Sequence, residues 1–128
     1  MCINNNIYYA HSKIIYGTQQ ELEEYGFLKK KFPKATIICP HNTVGELRDS
    51  KDYLYVVDCC SKVIVSELNG FIGLGVFAEV ARALSNNTSV FVLREKSEEF
   101  CLWKVSGIEI INEGSWKNNY GTLIVKQQ

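Results

Sequence analysis

Short apolar runs alternate along this chain with segments that carry helix signals. Ile7-Tyr8-Tyr9-Ala10, Ala35-Thr36-Ile37-Ile38-Cys39, Lys62 to Ser66 around Val63-Ile64-Val65, and Ser89-Val90-Phe91-Val92-Leu93 read as strands. Runs this apolar suit strands that are covered on both faces. Between the first two, Thr18-Gln19-Gln20-Glu21 has the spacing of a capping box. A helix is predicted from there through Leu22, Tyr25, Phe27 and Leu28 to about Phe32, with Pro33 as its stop. Lys29-Lys30-Lys31 is its solvated end, where cations suit the helix dipole. Asp52 to Cys60, with Leu54, Val56 and Val57, predicts a second helix, and Gly75 to Leu84 a third. Asn86-Asn87 breaks the chain, and Ile108 to Ile111 and Thr122 to Val125 are further strand candidates, with Trp103 and Trp116 nearby.

Strands alternating with helices predict one α/β domain over residues 1–128, with three layers and a mostly parallel five-stranded sheet. Such sheets bind ligands at the carboxyl ends of their strands, where the chain order reverses. The loops after the first and third strands, His11 to Gly17 and Glu67 to Gly75, are expected to face one crevice. No repeat, low-complexity tract or interdomain linker interrupts the pattern.

The stretch from Ser66 to Leu84 holds the densest candidate chemistry. A buried strand leads into a loop punctuated by Gly70, Gly73 and Gly75, and then into a helix that carries Glu79 in its first turns. Glycines let a backbone approach a ligand, and a helix N-terminus offers free N–H groups to an anion. Glu79 has three readings. It is a helix-end acid favoured by the dipole, a general base, or an ionised nucleophile that the dipole assists. The last suits retaining cleavage of a glycosidic bond, in which the carboxylate attacks the anomeric carbon and water or another acceptor resolves the covalent intermediate. Asp49, Asp52 and Asp58, just before the third strand, are candidates for an assisting acid. Tyr8 and Tyr9 face opposite ways, so at most one can reach the crevice from mid-strand, and packing is the default role of either. Ser12, with His11 and Lys13 beside it, can meet a phosphate or sugar, and His41 and Asn42 border the same side.

Composition narrows the partners. With 46% hydrophobic and 22% charged residues the chain is globular in character, and 14 basic residues cancel 14 acidic ones. That balance recommends neither a nucleic-acid backbone nor an anionic membrane. The apolar runs are too short to cross a bilayer and Met1 to Asn6 lacks the features of a signal peptide, so a soluble cytoplasmic protein is expected. Of five cysteines, Cys39, Cys59 and Cys60 read as buried free thiols. No CxxC is present and the two histidines fall in no ligand pattern, so neither zinc nor a disulfide framework is expected.

Two motifs together carry a resemblance. Asn6-Ile7-Tyr8-Tyr9-Ala10-His11-Ser12 resembles the first-strand motif of the nucleoside 2-deoxyribosyltransferase-like superfamily. Val63-Ile64-Val65-Ser66-Glu67, then Gly73-Leu74-Gly75-Val76, Glu79 and Arg82-Ala83 resemble its second motif, most nearly that of the 2'-deoxynucleoside 5'-phosphate N-hydrolases and CMP hydrolases. Their loop reads Ser-Leu-Gly-Val, with the nucleophilic Glu in the register that Glu79 holds here. The resemblance spans Ile7 to about Leu93. It implies a flavodoxin-like (Rossmann-like) domain with Glu79 as nucleophile and Tyr8 orienting it. Ser12, His11 and the Gly73-Leu74-Gly75 segment would hold the substrate, and Asp52 would assist, with Asp49 behind it. The implied activity is N-glycosidic cleavage of a nucleoside or nucleoside 5'-monophosphate, as hydrolase in preference to transferase. No metal or organic cofactor is implied, and a homodimer or larger assembly is. Gly73 replaces the family's loop serine, Lys62 stands where an Asp commonly opens the third strand, His11 replaces a small residue, and an assisting acid aligns only with a short gap. Those departures keep two alternatives in view, a non-catalytic binder of a nucleotide or NAD-derived signal and an NAD-cleaving enzyme.

Overall fold

Thr18 starts the first helix as its spacing predicts, its side-chain oxygen accepting from the Glu21 amide at 3.3 Å. In the computed structural model, which describes residues 5–40, 50–111 and 121–125, that helix is α1 (Gln19–Lys31). It follows β1 (Asn6–Ala10) and a single 3₁₀ turn at Lys13–Ile15. Then come β2 (Thr36–Ile38), α2 (Ser50–Asp58), β3 (Lys62–Ser66), α3 (Leu74–Ser85), β4 (Ser89–Lys96), β5 (Glu99–Ile110) and β6 (Gly121–Val125). The strand order is β2-β1-β3-β4-β5-β6, and the first three pairings, as far as β4, are parallel.

Residue alternation along the strands builds two cores. Tyr8, Ala10, Val63, Val65, Val90 and Val92 pack under Val57 of α2 and Val76, Val80 and Ala83 of α3. Ile7, Tyr9, Ile37, Cys39 and Ile64 face the other way and meet Leu28 of α1. A helix layer therefore covers each face, and each fully buried aliphatic side chain contributes about 1.5–3 kcal/mol. Cys39 and Cys60 are buried as expected, but Cys59 is exposed at the end of α2. Burial pushes the Cys60 thiol up to about 12.

The sheet departs from the predicted five mostly parallel strands by having a sixth strand and an antiparallel half. Only Ser97 and Glu98 separate β4 from β5, both at positive φ (53° and 65°), the geometry of a tight hairpin. Two residues cannot make the crossover that a parallel partner needs. The polar stretch from Arg94 to Glu99 hides this hairpin from a search for apolar runs. α1 departs too. Leu22 is 65% exposed, whereas Glu21 and Glu24 are buried at 8% and 5%. Among the described residues no helix is long and apolar enough to cross a membrane.

Candidate functional site

The strand order reverses between β1 and β3, because the chain moves outward from β1 to β2 and returns to the other side of β1. The segments that leave the carboxyl ends of β1 and β3 flank that point. After β3, Asn69 and Gly70 both take positive φ (55° and 83°) and close a tight turn, with Leu68 and Phe71 exchanging backbone hydrogen bonds at 2.9 and 3.0 Å. Gly70 thus serves the turn. Ile72 next exchanges two bonds with Gly121 of β6, at 2.9 and 3.1 Å, which anchors the loop before α3 begins. Gly73 is the N-cap of α3 and has no side chain to cap it, and among the described residues nothing lies within 4 Å of a Cβ built at Gly73 or Gly75. Among the described residues nothing crowds this backbone, as a cradle requires, and Leu74 is exposed beside it.

Glu79 lies on the second turn of α3, beyond the first-turn amides that remain unpaired in a helix. Its half-buried carboxylate accepts a short hydrogen bond from the hydroxyl of Tyr8, which rises from the middle of β1 and is fully buried. Burial dominates the electrostatics of this pair. It pushes the Glu79 carboxyl up to about 7, while the Tyr8 hydrogen bond pulls the other way. The Tyr8 phenol is itself pushed far above its ordinary range, by burial first and then by the negative charge of Glu79. A phenol so held stays protonated and donates. Tyr16 and Tyr53 are electrostatic neighbours of the same pair, and Tyr16 is also raised, by burial and then by Glu79. The result is a carboxyl raised toward neutrality by burial and oriented by the Tyr8 hydroxyl.

The other predicted residues distribute unevenly. Ser12 is half-buried and caps the 3₁₀ turn, accepting from the Ile14 amide at 3.3 Å. Lys13 is exposed. Asp52 lies in the first turn of α2, the end of that helix nearest the strands' carboxyl edge, but its side chain lies outside the described residues. Asp49, His41, Asn42 and Trp116 lie outside them as well. Asp58 is committed elsewhere. It takes a bidentate pair from Arg82 at 2.9 and 2.7 Å and a third bond from Asn86 at 2.8 Å, and the Arg82 hydrogen bonds hold its carboxyl below the usual range. Glu67 accepts two bonds from Arg94 of β4, at 3.0 and 3.1 Å.

His11 does not join Tyr8. Two residues beyond Tyr9, it shares the α1 face of the sheet, and its ring stacks on Tyr9 at 3.9 Å with Tyr16 against its edge at 4.9 Å. Its Nδ1 lies 2.9 Å from the Tyr9 carbonyl oxygen and its Nε2 2.6 Å from Glu21 Oε2. Cys39 Sγ, just past β2, lies 3.9 Å from that Nε2 and 3.7 Å from the same Oε2. Next to it Tyr9 donates to Glu24 at 2.5 Å. A cavity of about 280 Å³ opens beside the cluster, lined by Gly17, Thr18, Glu21, Tyr25 and Cys39 among others. Among the described residues, this is a group whose donor atoms are close enough to share a metal ion.

Sequence reasoning missed Glu21, Glu24, Cys39, Tyr16 and Tyr53 as members of polar clusters. Glu21 was in view only as the fourth residue of a capping box. In the fold its carboxylate reaches back one residue further, accepting from the Gly17 amide at 3.0 Å, and its second oxygen turns to His11. The available signal was the helical spacing of Glu21, Glu24 and Leu28, which share one face.

No protein-family model, no curated protein and no solved structure matches this chain.

Proposed function

We propose that this protein is an N-glycosidase acting on a nucleoside 5'-monophosphate or nucleoside, built on the flavodoxin-like plan of the nucleoside 2-deoxyribosyltransferase-like superfamily. The observation that carries the reading is the Tyr8–Glu79 hydrogen bond at the point where the strand order reverses, beside the open backbone of Gly73 and Gly75. Catalysis by a carboxylate nucleophile needs ionisation, orientation and access. A carboxyl at about 7 is a stronger nucleophile than an ordinary one and is still ionised in a large share of molecules at neutral pH. Tyr8 holds one oxygen and leaves the other to attack.

In the proposed reaction Glu79 attacks the anomeric carbon and forms an ester. The base departs with the electron pair of the glycosidic bond and takes up a proton, for which Asp52 is the candidate donor. Water then cleaves the ester, its proton leaving with solvent, and restores the carboxylate. The amides of the Gly73–Gly75 segment suit a 5'-phosphate or sugar oxygens. A second copy completing the site and a cytoplasmic location belong to the same proposal.

Base release from ribo- and deoxyribonucleosides, their 5'-monophosphates and NAD, followed by chromatography, tests the reading. Release is expected from the wild-type chain and not from Glu79→Gln. Release that survives Glu79→Gln rejects the nucleophile. No release from any compound, together with a thermal shift from one of them, replaces the enzyme with a nucleotide-binding module.

A further inference from the structure

The second cluster, on the opposite face of the sheet from Glu79, has its own chemistry. His11 and Cys39 each follow the last residue of a neighbouring parallel strand, and Glu21 stands in the first turn of α1 above them. All three are buried. A backbone carbonyl only accepts hydrogen bonds, so the contact with Tyr9 O puts a hydrogen on His11 Nδ1 and aims Nε2 at Glu21. The 2.6 Å approach of Nε2 to a carboxylate oxygen then needs one proton between them. The Cys39 thiol points a second proton at that same oxygen from 3.7 Å. Three donor atoms, of nitrogen, oxygen and sulfur, thus converge with two shared protons.

We propose that His11, Glu21 and Cys39 form a binding site for a thiophilic divalent cation of the zinc class. Coordination would replace the two protons with one ion, through Nε2, Oε2 and Sγ. Among these three groups the charge balances, because a dication enters as two protons leave. The dimensions are close. Tetrahedral zinc with these ligands sets them roughly 3.3–3.7 Å apart. The two separations from Sγ, 3.7 and 3.9 Å, already approach this, while Nε2 and Oε2 would part by roughly 0.7 Å from 2.6 Å. The supporting contacts are those of a metal histidine, with Nδ1–H on a carbonyl and the ring clamped by Tyr9 and Tyr16. Glu21 Oε1 is held by the Gly17 amide. The cavity lined by Glu21 and Cys39 leaves the fourth coordination position to water or a small ligand. This site is independent of the Glu79 reading and stands or falls without it.

The test is titration of the metal-free full-length chain with Co²⁺ in a non-thiol reductant. The expected result is a thiolate-to-cobalt charge-transfer band that saturates at equimolar metal, with tetrahedral ligand-field bands, reversal by Zn²⁺, and release of about two protons per ion in weak buffer. Cys39→Ser should remove the band, and His11→Gln should weaken binding at least about tenfold, with circular dichroism confirming that both fold. Should either fail to fold, the variant carrying Cys2→Ser, Cys59→Ser, Cys60→Ala and Cys101→Ser is decisive, since Cys39 is then its one thiol and it must keep the band. Absence of a charge-transfer band in the wild-type chain overturns the site. So does a band that persists in Cys39→Ser, or one that disappears when the other four thiols are replaced.

Discussion

Glu79 combines a half-buried carboxyl with a phenolic donor, and burial wins over the hydrogen bond in setting its protonation. Between its ordinary value of 4.5 and about 7, the folded chain holds a proton that the unfolded chain has already lost. Stability therefore falls as pH rises across that window, by roughly 3 kcal/mol if the whole displacement is realised. Glu79→Gln carries no such charge. Denaturant unfolding of both proteins should show the variant gaining on the wild type from pH 4.5 to pH 8, by up to about 3 kcal/mol; a constant difference would mean that Glu79 is not desolvated. Tyr8→Phe removes the one contribution that lowers the Glu79 carboxyl. On the proposed function, the acid limb of kcat/KM should lie near pH 7 in the wild type and move to higher pH in Tyr8→Phe, with a rate loss of about ten- to a hundredfold from misorientation. An unmoved limb would assign the titration to another group.

The loop and helix that carry Glu79 depend on one close contact. A Cβ at Gly121 would lie 2.7 Å from the Glu109 carbonyl oxygen and 2.8 Å from the Phe77 ring, and the backbone clash cannot be relieved by a side-chain rotation alone. Gly121 also pairs with Ile72, and Phe77 precedes Glu79 on α3 by two residues. Gly121→Ala should cost about 1–3 kcal/mol in thermal unfolding and depress activity together with stability, whereas an unchanged Tm would show that β6 yields freely. The start of α3 has the opposite character. Gly73 has φ −80° and open space around it, so Gly73→Ser supplies a capping hydroxyl without strain and should stabilise the chain by a few tenths of a kcal/mol. On the proposed function, Gly73→Ser would also supply the loop serine that the resemblance implies, and it should tighten binding of 5'-monophosphates relative to nucleosides. Equal affinity for both would remove the phosphate from the proposed substrate.

At the scale of the molecule, the sheet divides into a half covered on both faces and a hairpin half. β1, β3 and β4 contribute Tyr8, Tyr9, Ile64, Val65 and Val92, all fully buried, and each of these strands has a neighbour on both sides. β5 shows mostly half-exposed residues and β6 forms the edge. Native-state hydrogen exchange should find the amides of β1 and β3 opening only with global unfolding, and those of the β5–β6 pairing opening at lower cost. Equal protection throughout would show a single cooperative unit.

Much of this architecture was legible in the chain. Val63-Ile64-Val65 and Ser89-Val90-Phe91-Val92 announce buried parallel strands because both of their faces must be apolar, and Thr18 announces α1 because a helix start needs a side-chain acceptor. The glycine-rich loop before its helix drew attention to Glu79, while local reading left Tyr8 and Tyr9 equivalent and only the resemblance pointed to Tyr8; the fold brings Tyr8 and Glu79 into contact across 71 residues. Other assignments had no local signal. The hairpin after Arg94 depends on two backbone angles in a polar stretch, and the antiparallel edge follows from it. The burial of Glu21 and Glu24 in place of Leu22 depends on the phase at which α1 meets the sheet. His11, Glu21 and Cys39 stand at no ligand spacing, since the ends of two adjacent strands and one helix turn converge only once the sheet is assembled. Periodicity and capping act over a few residues, so the sequence by itself determined the elements and the nucleophile candidate. Which side chains meet in low dielectric, and therefore which carboxyl rises toward neutrality and which three donor atoms converge, was decided by tertiary packing alone.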